Sequence, residues 1–187
     1  MNNEKYLLNF LAELTIKLED LEEENKKLEK LAYEDALTNL KNRAYYEEWK
    51  SSLTINCYPL NIISIDCNGL KQINDNYGHS VGDEYIITAA RMLKNVFPSN
   101  AIICRIGGDE FVVALGGSIT EINSFIEKIR TLSGKITISN GEPVSLSVGA
   151  AHAEKYVKRI DNLFEEADKM MYQEKRAYYK VKKLAAS

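Results

Sequence analysis

Between residues 7 and 32 the apolar positions recur at alternating spacings of four and three: Leu7, Leu11, Leu14, Leu18, Leu21, Leu28 and Ala32, with Asn25 in the same series. This is a heptad repeat with apolar a and d positions. Asn25 stands at an a position, where an amide lowers stability but selects register and a parallel pair. The charges from Glu19 to Lys30 take the other faces, and no Gly or Pro interrupts the run. The pattern predicts a helix over residues 1–33 that pairs with a second copy along one seam. The bland alternative is an amphipathic helix folded onto its own domain.

The repeat breaks at Asp35-Ala36-Leu37-Thr38-Asn39-Leu40-Lys41-Asn42-Arg43, a run rich in turn and capping residues. A domain boundary is therefore expected near Tyr33, with a globular domain over 34–182 and a tail over 183–187. A short helix follows through Trp49, whose expected role is core packing. Residues 60–65 form an Ile-rich apolar run bounded by polar residues and predict a buried strand. Helical periodicity covers 69–77 and 83–97. Residues 101–106 and 111–115 predict strands around Gly107-Gly108-Asp109-Glu110, a hairpin signal. A helix is expected over 119–132, with Ile122, Phe125, Ile126 and Ile129 on one face, and a strand pair over 136–139 and 144–150 around Asn140-Gly141. A last helix runs from 160 to about 177. The order β-α-β-β-α-β predicts an α/β (α+β) fold with a ferredoxin-like sheet and its helices on one face, the framework of palm-type nucleotidyl-transfer enzymes.

Composition narrows the function. A net charge of −3 and a pI of about 5.6 leave no broad basic surface for a nucleic acid polymer. Any phosphate must be met locally, by a few cations or by metal. No apolar run is long enough to span a bilayer, and the N-terminus lacks a signal-peptide profile. Cys57, Cys67 and Cys104 include no CxxC pair and there are two histidines, which do not make a zinc site. The cysteines read as small apolar filler in a reducing cytoplasm.

Chemistry gathers at two places. Asp66 ends the first predicted strand, where a carboxylate faces a crevice or caps the next helix. Gly107 and Gly108 permit positive φ and close approach of a ligand, and Asp109 and Glu110 place two acids on the turn between apolar strands. Alone, such a turn is as well explained by solvation. Acids on neighbouring strand ends suit a hard divalent cation, and a triphosphate is the natural third partner of Mg²⁺ at Asp66 and Asp109. Between them, Asn74 and Asp83 flank a Gly-containing helix-helix turn. An amide and a carboxylate together can read guanine, although helix capping is the simpler role for each.

From Asp66 to Asp75 the chain reads Asp-Cys-Asn-Gly-Leu-Lys-Gln-Ile-Asn-Asp. Gly82-Asp83 follows, and then Arg105-Ile106-Gly107-Gly108-Asp109-Glu110-Phe111. In this order the motifs resemble the GGDEF family of diguanylate cyclases. Asp35 to Arg43 resembles its leading turn, and Ser147-Val148-Gly149-Ala150 and residues 167–175 its closing strand and helix, so the likeness spans roughly 33–180. The resemblance implies Mg²⁺ (or Mn²⁺) on Asp66, the Cys67 carbonyl and Asp109. It also implies guanine on Asn74 and Asp83, and phosphates on Lys71, Lys175 and the amides around Leu70. Asp66, Asp109 and Glu110 would be the catalytic acids, Glu110 as ligand or as base. His79 would support the loop or move a proton, and Arg105 would orient the hairpin. The implied reaction condenses two GTP into cyclic di-GMP with loss of two pyrophosphates. Each subunit of a homodimer would hold one half-site, and the coiled coil would bring the halves together. An upstream sensor domain and a cyclic di-GMP effector are the further partners implied.

Three segments depart from the family pattern. Asn68 replaces a frequent Asp and Leu70 a frequent Phe. Ala177-Tyr178-Tyr179-Lys180 replaces Gly-Arg-Asn, which puts Tyr179 at the phosphate-binding Arg position and leaves Arg176 or Lys180 as substitutes. Pro98-Ser99-Asn100-Ala101 replaces the Arg-x-x-Asp that binds product, so no product inhibition is expected there. Three alternatives stay open: a catalytically inactive GTP- or protein-binding GGDEF domain, a mixed GMP–AMP cyclase, and a plain dimerisation module.

Overall fold

The structure, a computed structural model, describes residues 2–54, 57–157 and 159–185. The chain divides into two compact units, one ending at Glu34 and the other beginning at Asp35. The first is a single helix, α1 (Asn2–Tyr33). Its seam residues Leu7, Leu11, Leu14, Leu18, Leu21 and Leu28 are all exposed, so the apolar stripe of the heptads lies open.

The second unit is built on a four-stranded sheet. Its strands are β1 (Leu60–Cys67), β2 (Ile102–Arg105), β3 (Glu110–Leu115) and β4 (Leu146–Ala153), in the order β2-β3-β1-β4. Every neighbouring pair is antiparallel, as a βαββαβ ferredoxin-like chain requires. Around the sheet lie α2 (Arg43–Ser51), α3 (Leu70–Tyr77), α4 (His79–Val96), α5 (Ile119–Leu132) and α6 (Ile160–Ala185).

Strand β1 is buried at all eight positions, so its period-two alternation divides two cores rather than core from solvent. Ile63, Ile65 and Cys67 enter a core with Leu93, Ile122 and Ile129 of α4 and α5. Leu60 and Ile62 enter a second with Tyr46 of α2 and Phe164 and Ala167 of α6. The helices thus cover both faces, which corrects the expectation of one. Trp49 packs half-buried against this second core, 6.3 Å edge-on from Phe164.

Local chemistry sets the helix ends. Asn42 caps α2 by accepting the Tyr45 N–H at 3.0 Å, and Ser118 with Glu121 forms a reciprocal capping box on α5. Between α3 and α4 the whole reversal is made by Gly78, at φ 87° and ψ 164°. Helix α4 therefore starts at His79, not at 83, because a glycine can turn the corner alone.

Two further expectations change. Of the strand pair around Asn140-Gly141, the second strand is β4, which starts at Leu146, while the first reduces to one bridge between Thr137 and Pro143, outside the sheet. Pro143 has no N–H to extend a ladder, and Ser139 and Glu142 are instead taken up by Glu84 and Tyr77. Helix α6 continues past 177 to Ala185, so residues 183–185 of the expected tail are helical; 186–187 lie outside the described residues, as does Met1 of the N-terminal segment.

Helix α6 crosses β4 at Gly149, where a Cβ would stand 2.1 Å from the Met171 nitrogen and 2.2 Å from the Ala167 oxygen. Those are backbone atoms, so relief requires moving the helix. Gly149→Ala is expected to cost about 2 kcal/mol as overpacking and to lower the melting temperature by several degrees, read by thermal circular dichroism. An unchanged melting temperature would refute this contact.

Candidate functional site

The odd positions of β1 face α4, so the even position 66 sends its side chain towards α6. There Lys175 donates from Nζ to Asp66 Oδ2 at 2.6 Å. The Asp66 side chain is 4% exposed, and its second oxygen, Oδ1, is buried with no partner in the protein. Burial pushes the carboxyl up to about 6, and neighbouring Asp109 and Glu110 add to the rise against the pull of Lys175. Burial works against the Lys175 ammonium, but Asp66 and Asp109 outweigh it and hold its pKa above the usual value. One ammonium among three acids leaves the carboxylate under-compensated.

The β2–β3 hairpin is registered against this acid. Asp66 pairs with Glu110 across the strands, and the Cys67 N–H donates to the Asp109 carbonyl at 3.0 Å. The Ile106 N–H to Glu110 oxygen bond, 3.0 Å, closes the hairpin. Neither Gly107 nor Gly108 adopts the positive φ that glycine permits. A Cβ on Gly107 would lie 2.6 Å from Glu110 Oε2, the free end of an exposed side chain, and Gly108 faces open space. Burial also pushes the Cys67 thiol far up, so it stays protonated and only its carbonyl is available as a hard ligand.

Arg105 holds the turn from behind. Its Nη2 donates to the Gly108 carbonyl at 2.9 Å, and its Nη1 to both Asp35 oxygens at 3.1 Å. Asp35 in turn accepts from the Thr38 hydroxyl at 2.7 Å and the Thr38 N–H at 2.9 Å. The same leading turn lies along edge strand β2, with Lys41 accepting from the Arg105 N–H at 2.8 Å.

The Asn74 side chain lies against Gly82, where a Cβ would meet Oδ1 at 1.8 Å and displace the amide. Asn74 Oδ1 is buried without a donor, a second orphaned atom among the expected ligand residues. Asp83 follows on the next residue and is exposed, five residues into α4, whose N-cap is Gly78; neither residue caps a helix. A clamp holds this corner. Glu84 accepts from the Ser139 N–H and hydroxyl at 2.7 and 2.6 Å, and the Tyr77 hydroxyl donates to Glu142 at 2.7 Å. His79 opens α4 and is exposed. Lys71 is exposed and Leu70 half-buried in the first turn of α3.

Sequence reasoning missed the supports. Asn68 is 3% exposed, donates to Ser145 Oγ at 3.1 Å and accepts from Ser147 Oγ at 2.8 Å. An aspartate could hold both serines only by accepting, whereas the amide donates to one and accepts from the other. The Tyr85 hydroxyl donates to the Asn68 carbonyl at 2.8 Å and accepts from the Ser145 N–H at 2.7 Å. Its place in an apolar helix face gives no sign of that role.

Two acids in strand register, an orphaned oxygen on one of them and an amide–carboxylate corner match the motif order read from the chain. The diguanylate cyclase GGDEF-domain profile matches residues 32–180. The chain belongs to this family. It is 33% identical over 145 residues to diguanylate cyclase DgcS of Shewanella oneidensis and 34% identical over 155 residues to DgcM of Escherichia coli, matches that take in 75% and 80% of this chain. They span only 49% and 38% of those relatives' lengths. Among solved structures, the coiled coil and GGDEF domain of DgcB from Caulobacter crescentus, in complex with c-di-GMP, superposes with TM-score 0.76 at 26% identity, covering 91% of this chain and 95% of that one.

As a GGDEF domain, the chain departs at Pro98-Ser99-Asn100-Ala101. These residues line a hollow of about 390 Å³ together with Lys41, Tyr45 and Lys94, and the lining holds neither Arg nor carboxylate. Lys94 donates to the Asn39 carbonyl at 3.0 Å.

The Asp35–Arg105 pair gives a pH test. Burial pulls the Asp35 carboxyl up, but the Thr38 hydrogen bonds and Arg105 outweigh it and hold it below 3.8. A carboxyl depressed by folding stabilises above its unfolded pKa, and that contribution is lost as pH falls through the folded value. Asp35→Asn is expected to cost about 1–2 kcal/mol near neutrality in urea unfolding, and the gap from the wild type should close as pH falls below 3.8. A gap independent of pH would remove the ion pair from the account.

Proposed function

We propose that this GGDEF domain is a diguanylate cyclase that condenses two GTP into cyclic di-GMP with release of two pyrophosphates. The observation that carries this reading is the buried, unpartnered Oδ1 of Asp66, in register with Glu110 and next to Cys67, whose N–H holds the Asp109 carbonyl. Among the described residues no three His, Cys, Asp or Glu side chains converge as a closed metal cage. Two carboxylates and one carbonyl fit a cation that keeps waters and substrate phosphates as its other ligands, which is the habit of Mg²⁺. Asp66, Asp109 and the Cys67 carbonyl would hold Mg²⁺ or Mn²⁺, which when bound supplies charge neutralisation of the triphosphate and acidifies the attacking 3′-hydroxyl.

The chain's own residues do the rest. Asn74 turns its amide to guanine and Asp83 accepts from the base N–H groups. Lys71, the amides at Leu70 and Lys175 draw the phosphates into line, and Lys175 exchanges some of its attraction to Asp66 for phosphate oxygen. Glu110, exposed at the start of β3, is the acid nearest solvent. The orphaned Asn74 oxygen supports a guanine partner over a plain structural role.

One domain holds one GTP, so two subunits face each other across the product. The open Leu stripe of α1 supports a parallel coiled-coil homodimer that raises the effective concentration of the facing half-site. Among the described residues no helix is long and apolar enough to cross a membrane. A GTP substrate and three free cysteines support a cytoplasmic enzyme. An upstream sensor and a cyclic di-GMP effector complete the proposed partners. The lack of Arg and carboxylate in the hollow at Pro98–Ala101 supports freedom from product inhibition there.

Incubation with GTP, ATP or both, with Mg²⁺, followed by mass analysis, should yield cyclic di-GMP from GTP alone; absence of any dinucleotide refutes the reading. Asp109→Ala should lower the rate by at least about a hundredfold while circular dichroism stays unchanged. Charged substitutions at Leu14 and Leu21 should reduce activity chiefly at low protein concentration, and an unaltered concentration dependence would discount the coiled coil.

A further inference from the structure

Lys175, Tyr179 and Lys182 fall at i, i+4 and i+7 on α6 and form one stripe of the helix. Each touches a successive point of the segment that leads from β1 into α3. Lys175 bonds Asp66 at 2.6 Å, the Tyr179 hydroxyl accepts the Gly69 N–H at 3.0 Å, and Lys182 Nζ donates to Gln72 Oε1 at 2.7 Å. Lys182 Nζ also lies 4.0 Å from where a Gly69 Cβ would stand, and it sits 5.8 Å above the Tyr178 ring. Tyr178 and Tyr179 pack edge to face at 5.2 Å, so the aromatic pair braces the lysine.

These contacts meet an open helix end. Gly69 caps α3 without a side-chain bond, and the first bond across the turn runs from the Ile73 N–H to the Gly69 oxygen at 3.1 Å. The amides of Leu70, Lys71 and Gln72 therefore point out of the helix, where an anion is favoured. The Tyr179 hydroxyl, already accepting from Gly69, keeps its own proton to donate. Lys182 spends one of its three protons on Gln72. Both leftover donors suit the same partner, an anionic oxygen group. The unpartnered Asp66 oxygen at the other end of the stripe is an independent mark of a ligand in this site.

Resting on the GTP reading, we propose that Tyr179 and Lys182 together hold the distal phosphate of the nucleotide. Lys182 supplies the charge and Tyr179 a directed O–H, in place of the arginine absent from position 179. Arg176 and Lys180, the substitutes expected from sequence, line a hollow with Gln173, Tyr179 and Lys183 that Lys182 does not enter. The division of labour follows helix geometry. A step of three from Tyr179 returns to the α3 side, whereas a step of one turns away. Lysine is also long enough to reach the α3 end from a turn further along.

The test is calorimetric titration of the full chain with a GTP analogue lacking the 3′-hydroxyl, which cannot condense, and with GDP. Lys182→Gln is expected to weaken triphosphate binding about tenfold while diphosphate binding holds, Tyr179→Phe to weaken it several-fold, and Lys182→Arg to restore it. Two results would overturn the proposal: a wild-type triphosphate preference retained in both variants, or equal losses for both ligands, as a merely structural role would give. Loss of the preference in Arg176→Gln or Lys180→Gln with Lys182→Gln silent would do the same. A wild-type chain that binds neither nucleotide overturns the GTP reading itself, and this inference with it.

Discussion

A carboxylate buried at the end of β1, with one oxygen on Lys175 and the other on nothing, is the constraint around which this domain is arranged. Desolvating a charge is expensive unless it is paired, and one ammonium beside Asp66, Asp109 and Glu110 does not complete the pairing. The site tolerates this because β1 cannot move. It is covered on both faces and hydrogen-bonded on both edges, so Asp66 is fixed by the two cores rather than by its own contacts. A rigid, under-compensated acid is a suitable place to receive a cation with its substrate.

The same rigidity reaches the other parts of the site through short polar links. Strand register carries Asp109 to Asp66 by way of the Cys67 N–H. Arg105 ties the hairpin to the leading turn at Asp35, so the residues that follow α1 in sequence are bonded to the acidic turn. Glu84 and Tyr77 pin the α3–α4 corner from the loop before β4, and Tyr85 and Asn68 fasten that loop to the end of β1. Gly82 and Gly149 matter for opposite reasons. One makes room for the Asn74 side chain, and the other lets the α6 backbone approach β4, which brings Lys175, Tyr179 and Lys182 within reach of the site.

Much of this was legible in the order of residues. Periodicity located β1, the β2–β3 hairpin, α5 and the open heptad stripe, because each pattern is local and repeats within one element. The motif order brought Asp66, Asp109, Glu110, Asn74 and Asp83 into one family, and the profile match over 32–180 agrees. Where local signals competed, they misled. Asn-Gly at 140–141 looked like a sheet hairpin, and its second strand is β4, yet the first lies outside the sheet, where Glu84 and Tyr77 grip the loop. Gly107 and Gly108 permit a left-handed turn, but neither takes one, and Gly108 faces open space.

By itself, the sequence determined which residue types could do chemistry and in what order they occur, since strand and helix periods are written into neighbouring positions. Tertiary structure alone decided which of those groups meet. Whether Lys175 reaches Asp66, whether Arg176, Lys180 or Lys182 reaches α3, and that Asn68 joins two serines depend on how α6 and β4 cross at Gly149 and on which face of β1 each side chain enters. Those are distances between segments up to 110 positions apart, set by packing two helix layers on one sheet, and no local pattern in the chain encodes them.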